Sequence, residues 1–325
     1  MSRRRHGFPR LLGDIGGTHA RWAWQDATDP APSRIVVHRC AAHASLLDSA
    51  RHYLAEQRLP APAQMAIGIA TAVTGDEVRM TNHPWVFSID ALQRALGAER
   101  LVVINDFTAL ALSLPWLGAD DLRALGGGRA APGGAIAVLG PGTGLGVSGL
   151  VPDTRGGWVP LAGEGGHVTL AAADEVDADL LARLRARFGH VSAERVVSGP
   201  GLATLYAVLC ERDGVSAHLA DAPAIAAAAV EGSDAQAVEA VHRFTGFLGN
   251  VAGNLALTLG ARGGVYLGGG VVPRLGRAFD AAWFRRRFED KGRFAGYLRE
   301  IPTWLITAAA PALLGASRAL DPPVR

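Results

Sequence analysis

Two stretches of this chain spell the same device, and together they limit what it can fold into. Leu11-Leu12-Gly13-Asp14-Ile15-Gly16-Gly17-Thr18-His19-Ala20-Arg21-Trp22-Ala23-Trp24 reads as a buried strand, a glycine turn and a second, half-buried strand. About 125 residues later, the run from Ala135 to Leu150 (AIAVLGPGTGLGVSGL) reads as strand, Gly/Thr turn and strand again. Two such hairpins predict an internally duplicated α/β protein with one phosphate clamp per half. In each turn, backbone N–H groups free of side chains form a nest that suits an anion, and Thr18 adds a hydroxyl. Asp14 repels phosphate unless a cation lies between them, which points to Mg²⁺ held through water. A plain hairpin with Asp in its turn is the alternative. Gly144–Gly149 matches GxGxxG, but the residues after Gly146 keep strand character and open no helix, so a dinucleotide site is excluded.

At 325 residues the chain is long enough for two domains or one large one. A net charge of only +2 gives no electrostatic case for nucleic acid or a membrane surface. Lys291 is the sole lysine, and no GxxxxGK[ST] is present, which removes the Walker-type phosphate binders. Cys40 and Cys210 lie far apart with no CxxC spacing, against a disulfide framework or a zinc cluster and compatible with a reducing cytoplasm. The basic leader Met1–Gly7 is followed by no apolar signal core, and no apolar run reaches the ~18 residues of a membrane span. A cytoplasmic protein is expected.

Leu101-Val102-Val103-Ile104 predicts a short buried strand ending at Asn105-Asp106, with a helix from Phe107. A carboxylate at the carboxyl end of a strand stands where α/β folds place ligands, and can take a proton from a substrate hydroxyl. Asn105 beside it both donates and accepts. Capping of the helix by Asp106 is the competing reading. The glycines at 126–128 and 133–134 suggest a flexible domain boundary. Glu164 and His167 sit among glycines in a polar loop and favour ligand contact, whereas metal binding lacks a second His or Cys at ligand spacing. Glu194 alone reads as a surface residue. Ser198 predicts a helix cap, and Ser233-x-x-Gln236 a capping-box start for a helix reaching about Leu259. That helix carries Gly246, Gly249, Ala252, Gly253 and Ala256, a pattern for close packing on another backbone. The strand Gly264–Leu267 runs into Gly268-Gly269-Gly270, where side-chain-free backbone allows a flat ligand such as adenine to lie close.

The ordered set GDIGGT, TGD, MTNH, INDF, GPGTGLG, GEGGH, HVSAERVVSGPG, YLGGG and FEDKGRF resembles the bacterial glucokinase family, of the actin/hexokinase ATPase superfamily. The resemblance runs from about Leu11 to Leu320. Repressor and sugar-kinase (ROK) relatives carry a cysteine-rich zinc motif that this chain lacks. The resemblance implies a duplicated ribonuclease H-like α/β fold of two domains around a cleft, with a small domain of 1–115 plus 307–325 and a larger α+β domain of 116–306. It implies ATP- and Mg²⁺-dependent phosphorylation of D-glucose at the 6-hydroxyl by a homodimer. Asn105, Asp106, Glu164, His167 and Glu194 would bind the sugar, with Asp106 the general base. Gly13, Asp14, Ile15, Gly16, Gly17 and Thr18 would hold ATP phosphates, and Gly140, Gly142, Thr143 and Gly144 the second phosphate loop. Gly268, Gly269 and Gly270 would flank the adenosine. Another hexose as substrate, or a weakly catalytic sugar sensor, are the competing functions. His19, Ala72 and Ala309-Ala310 depart from the family's pattern outside the sugar-contacting positions.

Overall fold

The computed structural model describes residues 7–27 and 31–321; the leader before Gly7 lies outside them. The chain divides into two compact units, Met1–Gly118 with Asp153–Ala162 and Ala308–Arg325, and Ala119–Pro152 with Gly163–Thr307.

The first unit opens on β1 (Arg10–Ile15), β2 (His19–Gln25) and β3 (Ser33–Arg39), followed by α1 (Leu46–Glu56) and β4 (Gln64–Ile69). A two-stranded ribbon, β5 (Glu77–Arg79) and β6 (Val86–Ser88), leads to α2 (Ile89–Leu96), β7 (Arg100–Asn105) and α3 (Asp106–Ser113). The sheet runs β3-β2-β1-β4-β7; β1 pairs antiparallel with β2 and parallel with β4, and β4 parallel with β7. β2 is buried on both faces instead of one: Trp22 and Trp24 enter one core, and Ala23 another. Gly13 leaves room for the Trp22 ring opposite it in the ladder.

In the second unit, β8 (Leu122–Gly126) precedes β9 (Ile136–Pro141) and β10 (Leu145–Pro152), while β11 (Trp158–Ala162) groups with the first unit, against α3. Helices α4 (Glu175–Phe188), α5 (Ala193–Val196), α6 (Gly199–Asp213), α7 (Ala222–Glu231) and α8 (Ala235–Leu259) follow. Then come β12 (Gly264–Leu267), α9 (Val271–Leu275), α10 (Ala281–Glu289), α11 (Ala295–Arg299) and β13 (Thr303–Ile306). The run β10-β9-β12-β13 repeats β2-β1-β4-β7 of the first sheet, an antiparallel hairpin followed by two parallel neighbours, and β8 adds to it antiparallel beside β13. The duplication expected from the two glycine hairpins is therefore present over these four strands. β10 is a continuous strand through Gly146 and Gly149, which is why no dinucleotide fingerprint forms there.

Helix α12 (Pro311–Ala319) returns to the first unit and covers Leu12, Ala23 and Ala66 with Leu313, Ala316 and Leu320. Any side chain on Gly315 would overlap the Ala109 carbonyl of α3. That contact needs glycine.

Two expectations change. The cap of α8 is Asp234, whose Oδ1 accepts from Ala237 N at 2.7 Å; Ser233 instead donates back to the Ala228 carbonyl at the end of α7. The glycines at 126–134 are not a flexible boundary but lie inside the second unit. Gly127 and Gly128 press against the Glu300–Pro302 backbone, and Gly134 against Arg262 and Gly263. The small residues of α8 behave as expected, Gly249 and Gly253 meeting the backbone of α10 at Phe284 and Phe288. Among the described residues no helix is long and apolar enough to cross a membrane.

Candidate functional site

The two sets of candidate residues fall one in each unit. In the first, three parallel strand ends lie side by side, with Ile15 opposite Ile69 and Ile69 opposite Asn105. Two inter-strand spacings put the phosphate turn and Asn105 about 10 Å apart on one sheet edge. The Gly16 N–H donates to the His19 carbonyl at 2.9 Å, closing the turn with His19 backbone while its side chain is exposed. The departure at His19 thus leaves the turn's own hydrogen bond intact. Gly17 lies against Asn82, which brings the MTNH segment onto the same turn.

Asp14 is cross-strand from Arg21, and its Oδ2 accepts from Arg21 Nη1 at 2.9 Å. Burial pushes the Asp14 carboxyl above its ordinary range, and the Arg21 guanidinium opposes that shift. One carboxylate beside a phosphate nest fits the way Mg²⁺ is held, through few protein oxygens plus water and substrate phosphates.

The helix after β7 is capped by Asn105, not by Asp106. Asn105 Oδ1 accepts from Phe107 N at 2.9 Å and Thr108 N at 3.2 Å, and its Nδ2 donates to the Thr71 carbonyl at 3.4 Å. Asp106 is the first helical residue and half-buried. Gly68 on β4 lets this helix start lie close to the sheet, its Cβ position 3.5 Å from Asp106 Cα.

In the second unit the GEGGH segment forms a single turn held on β10. A side chain at Gly165 would press on Val147, and one at Gly166 would overlap the Leu145 carbonyl. Those two glycines dock the turn and leave Glu164 and His167 exposed, Oε2 and Nε2 4.0 Å apart. An isolated bridge from Thr169 to Ser192, with Ala193 N donating to the Val168 carbonyl at 2.9 Å, carries α5 alongside. The Glu194 carboxylate then reaches the second glycine loop, and its Oε2 accepts from Leu145 N at 2.9 Å. A Cβ on Gly144 would collide with that oxygen. Glu194, which carried no signal by itself in the sequence, thus joins Glu164, His167 and the Gly142–Gly144 turn.

The same turn opens on a cavity of about 500 Å³ lined by Gly142, Thr143, Pro200, Asp221, Val271 and Arg274, among others. Its size suits a nucleoside, and its lining is apolar with a few polar groups. Gly199 N donates to the Gly142 carbonyl at 2.8 Å, and α6, capped by Ser198, starts beside the turn. A side chain on Gly269 would overlap the Pro141 carbonyl, and one on Gly140 the Gly268 backbone. Val271, Arg274 and Leu275 on α9, just after these glycines, line the cavity. Asp221 and Arg274 were missed from sequence; an Asp before Ala-Pro is a capping signal for α7, but nothing in the pattern says that it faces a cavity.

Known proteins resemble this chain along nearly its whole length. The family model for glucokinase matches residues 11–322. The glucokinase of Aromatoleum aromaticum is 55% identical over 315 residues, covering 97% of this chain and 95% of that protein. The glucokinase of Chromobacterium violaceum is 51% identical over 311 residues, covering 95% and 88%. The crystal structure of a glucokinase from an Antarctic psychrotroph superposes with a TM-score of 0.85 at 36% identity, covering 96% of this chain and 98% of that one. The chain belongs to the glucokinase family.

Proposed function

We propose that this protein transfers the γ-phosphoryl group of ATP to the 6-hydroxyl of D-glucose, with Asp106 as general base. The observation that carries the reading is Asp106 at the first position of α3, on the sheet edge that also bears the phosphate turn. Phosphoryl transfer asks a protein for positioning and charge cancellation more than covalent help. Asp14 would hold Mg²⁺ through water, and the ion would supply part of that cancellation. The Gly13–Thr18 and Gly140–Gly144 segments supply the rest through the backbone N–H groups that their turns leave open, Gly16 N and Gly142 N being taken by the His19 and Gly144 carbonyls, and the cavity beside Thr143 takes the nucleoside.

Asp106 orients the 6-hydroxyl and removes its proton as the new P–O bond forms. Asn105 Oδ1 is committed to capping, so Asn105 meets the sugar as a donor through the remaining Nδ2 hydrogen. Glu194, with Oε2 taken by Leu145 N, offers its other oxygen to a hydroxyl. Glu164 and His167 add an acceptor and a ring nitrogen. A homodimer follows from the family resemblance, and with the cytoplasmic location that the cysteine usage suggests it belongs to the same proposal.

ADP release with Mg-ATP against glucose, mannose and glucosamine tests the reading. Turnover on glucose with the highest kcat/KM is the expected result. Glucose binding without turnover of any hexose would overturn it and leave a sugar sensor.

Gly144→Ala tests the sugar set more finely. The added methyl meets the flexible end of Glu194, so the fold should persist at a cost of about 1–3 kcal/mol, while the carboxylate is driven off Leu145 N. A hydrogen bond involving a charged group contributes about 1.5–3 kcal/mol, so the glucose KM should rise about 10- to 100-fold. An unchanged KM would remove Glu194 from the sugar set.

A further inference from the structure

Away from the residues assigned to glucose and nucleotide, the first unit gathers three imidazoles. His38 on β3, His43 just beyond it and His52 on α1 have ring centroids 5.1 Å apart in every pair. Glu56 follows His52 by four residues on the same face of α1, and its Oε2 lies 3.2 Å from His38 Nε2. One ligand atom each from His38, His52 and Glu56 lies within 4.8 Å of the others, the one such group among the described residues.

We propose that His38, His52 and Glu56 form a binding site for a divalent transition ion of the Zn²⁺ class, with His43 beside its open position. Imidazole nitrogen with one carboxylate suits Zn²⁺ and its neighbours, whereas Mg²⁺ asks for an all-oxygen octahedron. Bonds of about 2.0–2.2 Å to a tetrahedral ion hold ligand atoms roughly 3.4 Å apart. His52 and Glu56 are exposed side chains, free to rotate the remaining distance.

The surrounding groups favour the ion. His38 Nδ1 lies 3.4 Å from Ser49 Oγ, and Ser49 accepts from the buried Trp22 Nε1 at 2.9 Å. With Nδ1 donating to that hydroxyl, Nε2 turns its lone pair toward Glu56, the orientation that outer partners of metal-bound histidines impose. His43 Nδ1 is held in the same way by Asp48 Oδ2 at 3.3 Å. Glu56 and Asp48 together balance a divalent charge.

The site's position gives it a consequence. Two residues past His38, Cys40 N donates to the Thr18 carbonyl at 2.9 Å and Cys40 Sγ to the Gly16 carbonyl at 3.3 Å. An ion that pins His38 to α1 stiffens the segment that backs the Gly16–Thr18 turn.

Titration of the full chain with ZnCl₂ by calorimetry tests the site, with CoCl₂ absorption reporting nitrogen and oxygen coordination. One equivalent should bind, and His52→Ala or Glu56→Gln should each weaken it at least tenfold. His218→Ala, which removes an exposed histidine elsewhere, should leave it unchanged. The readout is binding and is independent of the kinase reading. Absence of stoichiometric binding, or binding untouched by both the His52 and Glu56 variants, would overturn the proposal.

Discussion

Asp106→Asn is expected to lower kcat for glucose by about 10²–10⁴-fold, the usual contribution of a positioned general base, with little change in glucose affinity. The amide keeps the size of the carboxylate, and its carbonyl can still accept from Phe107 N, as Asp106 Oδ1 does at 2.9 Å. What it loses is the capacity to take a proton. Because Asn105 caps α3, the helix start does not depend on Asp106, and the variant should fold as the parent does. Asn105→Ala makes the contrast: it strips the cap from Phe107 and Thr108, costs about 0.5–2 kcal/mol of stability, and weakens glucose binding as well. Single-turnover kinetics with glucose binding measured separately distinguishes the two. A kcat within about tenfold of the parent for Asp106→Asn would remove the base assignment.

That separation of cap from acid could not be read along the chain. Asn105-Asp106 after four apolar residues announces a strand end and a helix start, but either side chain could have been the cap. Only the backbone at Asn105 decides that its amide oxygen spans both Phe107 N and Thr108 N, which makes it the cap. The two glycine hairpins were legible because a nest and a strand pair need glycine at fixed offsets, and the sheets repeat them in register. The glycines at 126–134 misled for a related reason. Glycine is required wherever anything comes close, and sequence does not say whether that neighbour is solvent, a ligand or the chain's own backbone. At Gly269 it is Pro141; at Gly127 it is Ile301. β3, β11, α7 and α10 gave weak signals, since exposed edge strands and alanine-rich or arginine-rich helices show little periodicity. Glu194 became a candidate only through resemblance, because its approach to Leu145 depends on the Thr169–Ser192 bridge between segments distant in the chain.

Asp177→Ala is expected to destabilise the second unit by about 3–5 kcal/mol, the cost of breaking a buried ion pair from one side. Asp177 Oδ2 accepts from Arg287 Nη2, and the two side chains are 2% and 5% exposed. Removing the carboxylate strands the Arg287 guanidinium among α4, α8 and α10. Asp174 is too exposed to replace it fully, although its Oδ2 lies 2.7 Å from Arg287 Nη1 and 3.2 Å from Arg243 Nη1. Burial raises the Asp174 carboxyl, but the Asp177 N–H and the Arg287 and Arg243 guanidinium groups outweigh it and hold the carboxyl below its ordinary value. The Asp174 share of the stabilisation is therefore present above about pH 4, where an unfolded Asp is ionised, and is lost as pH falls through the folded value. The double variant Asp177→Leu with Arg287→Met removes both charges and should recover most of the loss, since apolar replacement of a buried pair is often neutral. None of these side chains belongs to the proposed sugar or phosphate set. At 25 °C the folded fraction of Asp177→Ala should thus keep its kcat while its urea midpoint drops. If the single variant unfolds no more easily than the parent, water already solvates Arg287, and α4 is held to α10 by its apolar face alone.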